Sequence, residues 1–201
     1  MTTALLSSAY CAPVQWFQKL NRYDMVMVEQ YDNFLKQTYR NRCIIATANG
    51  TQALTIPVER PAGEKCLMRD VRISDHGNWR RLHWNALATA YGDSPFFDYY
   101  VDDLHPLFAK KREFLFDFNM EMTEVLCELL DIRPKISLTT SYVDEAENDF
   151  RDAIRPKHPL PDSDFEPVQY YQVYIQRHGF FPNLSILDLL FNMGNEAVFY
   201  L

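Results

Sequence analysis

The densest concentration of chemistry in the chain is Lys36-Gln37-Thr38-Tyr39-Arg40-Asn41-Arg42, where three cations fall within seven residues. They interrupt an acidic sequence, in which 20 Lys and Arg stand against 27 Asp and Glu for a formal net charge of −7. If an extended strand begins by Tyr39, its period-two alternation sets Arg40 and Arg42 on one face, about 6.5–7 Å apart. Two guanidinium forks at that spacing can grip one phosphate, or two linked ones, through paired hydrogen bonds, with Lys36, Gln37 and Asn41 alongside. The competing reading is that both arginines pair with surface carboxylates and bind nothing else.

A second constellation is His83 with Trp84 and Arg80. Arg80 stands one helical turn before Trp84, so imidazole, indole and guanidinium could border one cleft, where a histidine titrating near neutrality could act as a general base. The alternative is a histidine at the edge of the core, hydrogen-bonded to a backbone carbonyl. Asp188 follows Ser185 by three residues and reads as part of a capping box; a catalytic carboxylate in so apolar a run would have a raised pKa. The aromatic cluster from Phe96 to Tyr100 reads as core rather than as a sugar-stacking platform, and Gln15 beside Pro13 is isolated.

Several function classes lack their signatures. There is no G-x-G-x-x-G, no Walker lysine loop, no H-E-x-x-H, no G-x-S-x-G and no EF-hand loop. The histidines at 76, 83, 105, 158 and 178 include no i,i+4 pair, so neither a metal centre nor another cofactor is expected. Cys11, Cys43, Cys66 and Cys127 lie far apart without a C-x-x-C pair, and a chain of 201 residues with ample apolar content needs no disulfide framework. Reduced thiols, and hence a cytoplasmic location, are the expectation. Net acidity argues against nucleic acid as a partner, while leaving room for a local basic site that holds a small anionic ligand. No cation precedes Lys19 and Tyr10 precedes Cys11, so no export signal is expected; no window approaches the ~18 apolar residues of a membrane span.

The elements that must position these residues read as one mixed α/β domain over residues 1–201. A strand from Ala4 to Ala9, a helix opened by Pro13 with Val14, Phe17 and Leu20 on one face, and a strand from Met25 to Val28 form an N-terminal βαβ unit. Arg42 to Ala48 and Thr51 to Val58 flank Asn49-Gly50 as a β-hairpin with a type I′ turn. Pro61, Gly63 and Glu64 form a loop, and Leu67 to Ile73 alternates like a strand. Central helices follow. Asn78 caps the first, with Trp79, Leu82, His83, Ala86, Leu87 and Ala90 on its stripe and Gly92 as its stop; Pro95 opens a shorter second, and Asn119 begins a third that ends before Pro134. A strand from Ile136 to Thr140 leads into an acidic, proline-rich stretch at 142–167, read as irregular and partly mobile. The chain closes with a strand at Tyr170 to Ile175 and a buried helix from Ile186 to Met193, with Ser185 at its start and Gly194 past its end.

Six blocks carry a family resemblance: A-P-V-Q-W-F at 12–17, K-Q-T-Y-R-N-R-C at 36–43, Asn49-Gly50 before L-T-I-P-V-E at 54–59, N-W-R-R-L-H-W at 78–84, S-P-F-F-D-Y-Y at 94–100 and L-S-I-L-D-L-L-F-N-M-G at 184–194. In this order, over nearly the whole chain, they resemble the WbqC-like protein family. The resemblance implies a bacterial protein whose relatives are often encoded with cell-surface polysaccharide genes. Longer relatives carry a Gly-rich segment ahead of the final strand, where this chain is acidic and proline-rich. Resemblance and residues together suggest a transferase that moves an acyl or aminoacyl group to an amino sugar carried on a nucleotide diphosphate. Arg40, Arg42 and Lys36 would hold the diphosphate, and His83 would accept a proton. The alternative is a non-catalytic ligand-binding or assembly protein.

Overall fold

A computed structural model describes residues 2–59 and 65–201; the loop expected at Pro61, Gly63 and Glu64 lies outside them. β1 (Thr3–Ser7), α1 (Val14–Arg22) and β2 (Met25–Glu29) form the βαβ unit, with β1 and β2 parallel and paired from Thr3↔Met25 to Ser7↔Glu29. Parallel strands buried on both faces need unbroken apolar runs, and Ala4-Leu5-Leu6 supplies one. Residues Ile136–Leu138 add a third parallel strand, β5, beside β2, giving the order β1-β2-β5. On the other side of β1, Leu5 bridges Asp149 in parallel sense: its amide donates to the Asn148 carbonyl and its carbonyl accepts from the Phe150 amide. Four parallel segments therefore end along one edge.

β3 (Arg42–Thr47) and β4 (Gly50–Thr55) form the antiparallel hairpin in register Arg42↔Thr55 to Thr47↔Gly50. The connecting residues are Ala48 and Asn49, and the positive φ of 108° falls on Gly50 alone, so the turn is not type I′. Glycine accepts this backbone because it has no Cβ to clash.

α2 (Trp79–Tyr91) buries Trp79, His83, Leu87, Ala90 and Tyr91, while Leu82 of the expected stripe is exposed. Asn78 precedes it in the left-handed region and makes no side-chain cap. α3 (Phe97–Ala109) is as long as α2, not shorter, and contains Pro106. α4 (Leu115–Leu129) begins four residues ahead of Asn119, whose side chain is fully buried within the helix instead of capping it. α5 (Ile175–His178) is a single turn, and α6 (Ile186–Met193) packs against α1, α3 and β3 with every residue from Ile186 to Asn192 buried. The hydroxyl oxygen of Ser185 accepts from the Leu187 amide at 3.3 Å, and Gly194 takes φ 57° past the helix end.

Two expected strands are absent. Residues 67–73 form a turn of 3₁₀ helix at Met68–Asp70 with isolated bridges on either side, because Val71, Ile73 and Met68 point into the core from an irregular backbone. Residues 170–175 pair with no strand among the described residues; Tyr170 and Gln172 turn their side chains onto α6.

The 142–167 stretch is irregular, as its composition suggests, and is tied to α1. Asp162 accepts from Lys19, which is 1% exposed, and from Gln15 at 2.8 Å, while the Tyr23 hydroxyl donates to Asp164 at 3.3 Å. The Lys19 ammonium also lies 4.3 Å from the centre of the Phe150 ring.

Candidate functional site

Open parallel sheets bind ligands beyond the carboxyl ends of their strands. Here that edge gathers Ser7 from β1, Glu29 and Asp32 from the end of β2 and the turn after it, Thr139 after β5, and Asp149 and Arg151 from the bridged segment. Arg40 enters from the approach to β3. Its guanidinium donates to the Ser7 hydroxyl at 2.8 Å and pairs with Asp32. Arg40 and Asp32 are 5% and 6% exposed. The pairing is incomplete: the second oxygen of Asp32 (Oδ1) and the Nε of Arg40 are buried with no partner among the described residues. Burial pushes the Asp32 carboxyl upward, and the Arg40 charge and the Ser7 hydroxyl only partly offset it.

Arg151 forms the opposite wall. It holds Asp149 at 2.6 Å, approaches the fully buried Glu29 at 3.6 Å, and lies 5.1 Å from the Tyr142 ring centre, with its Nη1 otherwise unpartnered among the described residues. Glu29 in turn accepts from the Tyr31 amide, the Thr139 hydroxyl and the Val143 amide at 2.8–2.9 Å. Between Arg40, Asp32, Arg151, Asp149, Arg155 and Tyr142 lies a crevice of about 480 Å³. That volume is within the ordinary range for small-molecule sites. Buried guanidinium and carboxylate groups with spare donors and acceptors carry a desolvation cost that a polar ligand would offset.

A model of the WbqC-like protein family matches residues 8–155, a span holding Arg40, Asp32 and Arg151. The chain belongs to the WbqC-like protein family. It is 25% identical over 223 residues to "Uncharacterized protein Rv1507c" of Mycobacterium tuberculosis (strain ATCC 25618 / H37Rv), an alignment covering 98% of this chain and 96% of that protein. No solved structure matches it.

The other residues singled out in this WbqC-like chain are placed as follows. Arg42 does not share a face with Arg40: the strand starts at Arg42, so Arg40 belongs to the preceding turn and faces the crevice, while the Arg42 Nε donates across the hairpin to the Thr55 hydroxyl at 3.0 Å. Asn41 is buried, its amide donating to the Ile56 carbonyl at 2.8 Å. Lys36 and Gln37 are exposed, Gln37 accepting from Lys157 at 3.3 Å.

His83 faces the core and is separated from the Arg80–Trp84 cleft. Its Nδ1 lies 2.9 Å from the Tyr10 hydroxyl, it bonds the Thr55 backbone, and its ring packs 5.1 Å from Trp79. Burial lowers its pKa to about 4, so it is neutral at pH 7 and enclosed. Arg80 and Trp84 do line one cavity, and the histidine that joins them there is His105.

Asp188 does not cap its helix through its side chain. The carboxylate accepts from the hydroxyls of Tyr91 and Tyr170 at 2.8 Å and from the Gln172 amide at 3.0 Å, inside the protein. The four cysteines are free thiols; Cys11 and Cys43 lie together beneath Tyr10. Among the described residues, no three His, Cys, Asp or Glu side chains gather as a metal cage, and no helix is long and apolar enough to cross a membrane.

Asp32, Ser7, Glu29, Asp149, Arg151 and Arg155 carry the crevice and were not candidates from sequence. A charged residue ending the apolar run Met25–Glu29, with Asp32 just beyond, was the one available signal.

Proposed function

We propose that this WbqC-like protein binds the sugar portion of a nucleotide-linked amino sugar in the crevice and transfers an acyl group to its amine. The observation that carries the reading is the buried Asp32–Arg40–Ser7 unit, incompletely paired, whose Asp32 and Arg40 border the crevice at the strand ends. Alternating carboxylate and guanidinium planes suit vicinal hydroxyls, which donate to one and accept from the other. Tyr142, about half exposed beside Arg151, offers an aromatic face at the rim. Arg155 lies at the same crevice, paired with Asp152, and would have to exchange that carboxylate for the phosphate side of the ligand.

In the transfer, the sugar nitrogen forms a bond to the acyl carbon, and the bond from that carbon to its activating group breaks, the leaving group taking the electron pair. The ammonium must first lose a proton. Asp32, whose affinity for protons is raised by burial, replaces His83 as the group that takes it. Arg40 and Ser7 hold the carboxylate in place and are positioning residues.

Thermal unfolding against a panel of UDP- and dTDP-linked amino sugars tests the binding. A ligand at 100 times its Kd stabilises by about 2.7 kcal/mol, which for a chain of this size is roughly 5–11 °C. Asp32→Asn should reduce the response to that given by UDP or dTDP alone, and mass spectrometry of the bound sugar after incubation with activated acyl donors reports transfer. No stabilisation across the panel contradicts the reading; stabilisation without any acylated product leaves the protein as a non-catalytic binder.

A further inference from the structure

A second cavity, of about 390 Å³, lies between α2 and α3, with Arg80, Arg81, Trp84, His105, Phe108 and Lys111 in its lining. It shares no residue with the crevice. Its α2 residues lie on the side of the helix away from His83 and Trp79, which pack into the core against Tyr10 and Phe118.

Two properties distinguish it. On a protein of net charge −7, its lining holds three cations, one histidine and no carboxylate. Asp75, outside the lining, bridges Arg80 at 2.7 Å and Lys111 at 2.6 Å and so fixes both cations at the rim. One carboxylate cannot neutralise three charges: Arg81 is in no ion pair among the described residues, and the Nη2 of Arg80 is buried without a partner. The second property is aromatic. Trp84 forms a half-buried wall, with His105 edge-on at 4.8 Å and Phe108 at 5.6 Å between ring centres. Guanidinium forks recognise phosphate oxygens bidentately, and an indole face accepts a planar base by stacking.

We infer that this cavity binds a nucleoside phosphate, with its base against Trp84 and its phosphate held by Arg80, Arg81 and Lys111. This site goes beyond the crevice and does not rest on it. A sulfonate or inorganic phosphate would satisfy the cations but leave the aromatic wall unused, and an uncharged nucleoside would do the reverse.

The test uses the full chain in titration calorimetry and tryptophan fluorescence with UDP, ADP, uridine and inorganic pyrophosphate as probes. UDP or ADP should bind and quench emission; uridine and pyrophosphate should each bind at least tenfold more weakly. Arg81→Glu, an exposed change with little cost to folding, should weaken the nucleotide at least tenfold, and Trp84→Phe should remove the quench while calorimetry still detects binding. Asp32→Asn, which disables the crevice, should leave nucleotide affinity unchanged. The inference is overturned if neither nucleotide binds at millimolar concentration, if Arg81→Glu binds as the parent does, if pyrophosphate matches UDP and ADP, or if Asp32→Asn removes the binding.

Discussion

Replacing Asp188 by asparagine should tilt the pH profile of stability by about 2–3 kcal/mol between pH 4 and 7. Burial in α6 raises the Asp188 carboxyl from 3.8 to about 6, although hydrogen bonds from Tyr170, Tyr91 and Gln172 and from Asn192 pull the other way. At about 1.4 kcal/mol per pKa unit, the whole difference amounts to roughly 3 kcal/mol. The folded state holds this proton more tightly than the unfolded chain does. The contribution to stability is therefore fully present below about pH 4 and is lost as pH rises through 6. His83 has the opposite slope. Burial lowers it from 6.5 to about 4, with a bond to the Thr55 backbone acting against that, so the folded state resists protonation and stability falls as pH drops from 6.5 to 4. In the parent the two slopes largely cancel over this window.

Asp188→Asn removes one of them. The assay is chemical or thermal unfolding of parent and variant in steps from pH 4 to 7, read as the difference between the two, in which every other titrating group cancels. Whatever the substitution costs at pH 4 through altered hydrogen bonding, the variant should gain about 2–3 kcal/mol relative to the parent by pH 7, or roughly 4–12 °C in Tm for a chain of this length. A difference that stays constant within about 0.5 kcal/mol across the range would refute the reasoning, since it would mean that Asp188 has the same proton affinity folded and unfolded.

Other changes read out the packing around the site. Arg40→Met strands the buried Asp32 carboxylate and should cost about 3–5 kcal/mol in denaturant unfolding; adding Asp32→Leu should recover much of that loss, and a strictly additive double variant would contradict the pairing. Gly194→Ala meets both a φ of 57° and the Phe96 ring 2.7 Å from the new Cβ, so a loss of roughly 1–3 kcal/mol is expected by thermal unfolding. Ser185→Ala removes the acceptor for the Leu187 amide and the donor to the Cys11 carbonyl, with an expected loss of about 1–2 kcal/mol measured as a shift in the denaturant midpoint.

What could be read in the sequence was local. The βαβ unit follows from two apolar runs around one amphipathic helix, and α6 follows from Ser185, a run that is apolar but for Asp188 and Asn192, and Gly194. The hairpin was legible for the same reason, although its turn moved to Ala48-Asn49 once Gly50 took the unusual φ. Segments whose apolar residues face the core from an irregular backbone imitate strands in sequence, as 67–73 and 170–175 both do. Asn119 looks like a helix cap, but its amide donates to the Ser8 hydroxyl at 2.9 Å and the Arg40 carbonyl at 2.8 Å, tying α4 to the crevice from inside the helix.

The site was half legible. Arg40 stands out as a cation in an acidic chain, yet its relation to Arg42 depended on a strand starting three residues too early. Asp149 and Arg151 come from more than a hundred residues away, in a stretch without periodicity, and only the bridge to Leu5 brings them to the strand ends. His83 suited a catalytic role by residue type, and it is the register of α2 that turns it to Tyr10.

The most direct measurement is a crystal structure of the protein soaked with a UDP- or dTDP-linked amino sugar. Density for the sugar is expected between Asp32, Arg40 and Arg151, with its amine within hydrogen-bond reach of the Asp32 carboxylate. A crevice without sugar density at saturating ligand, whether or not the second cavity is occupied, would contradict it.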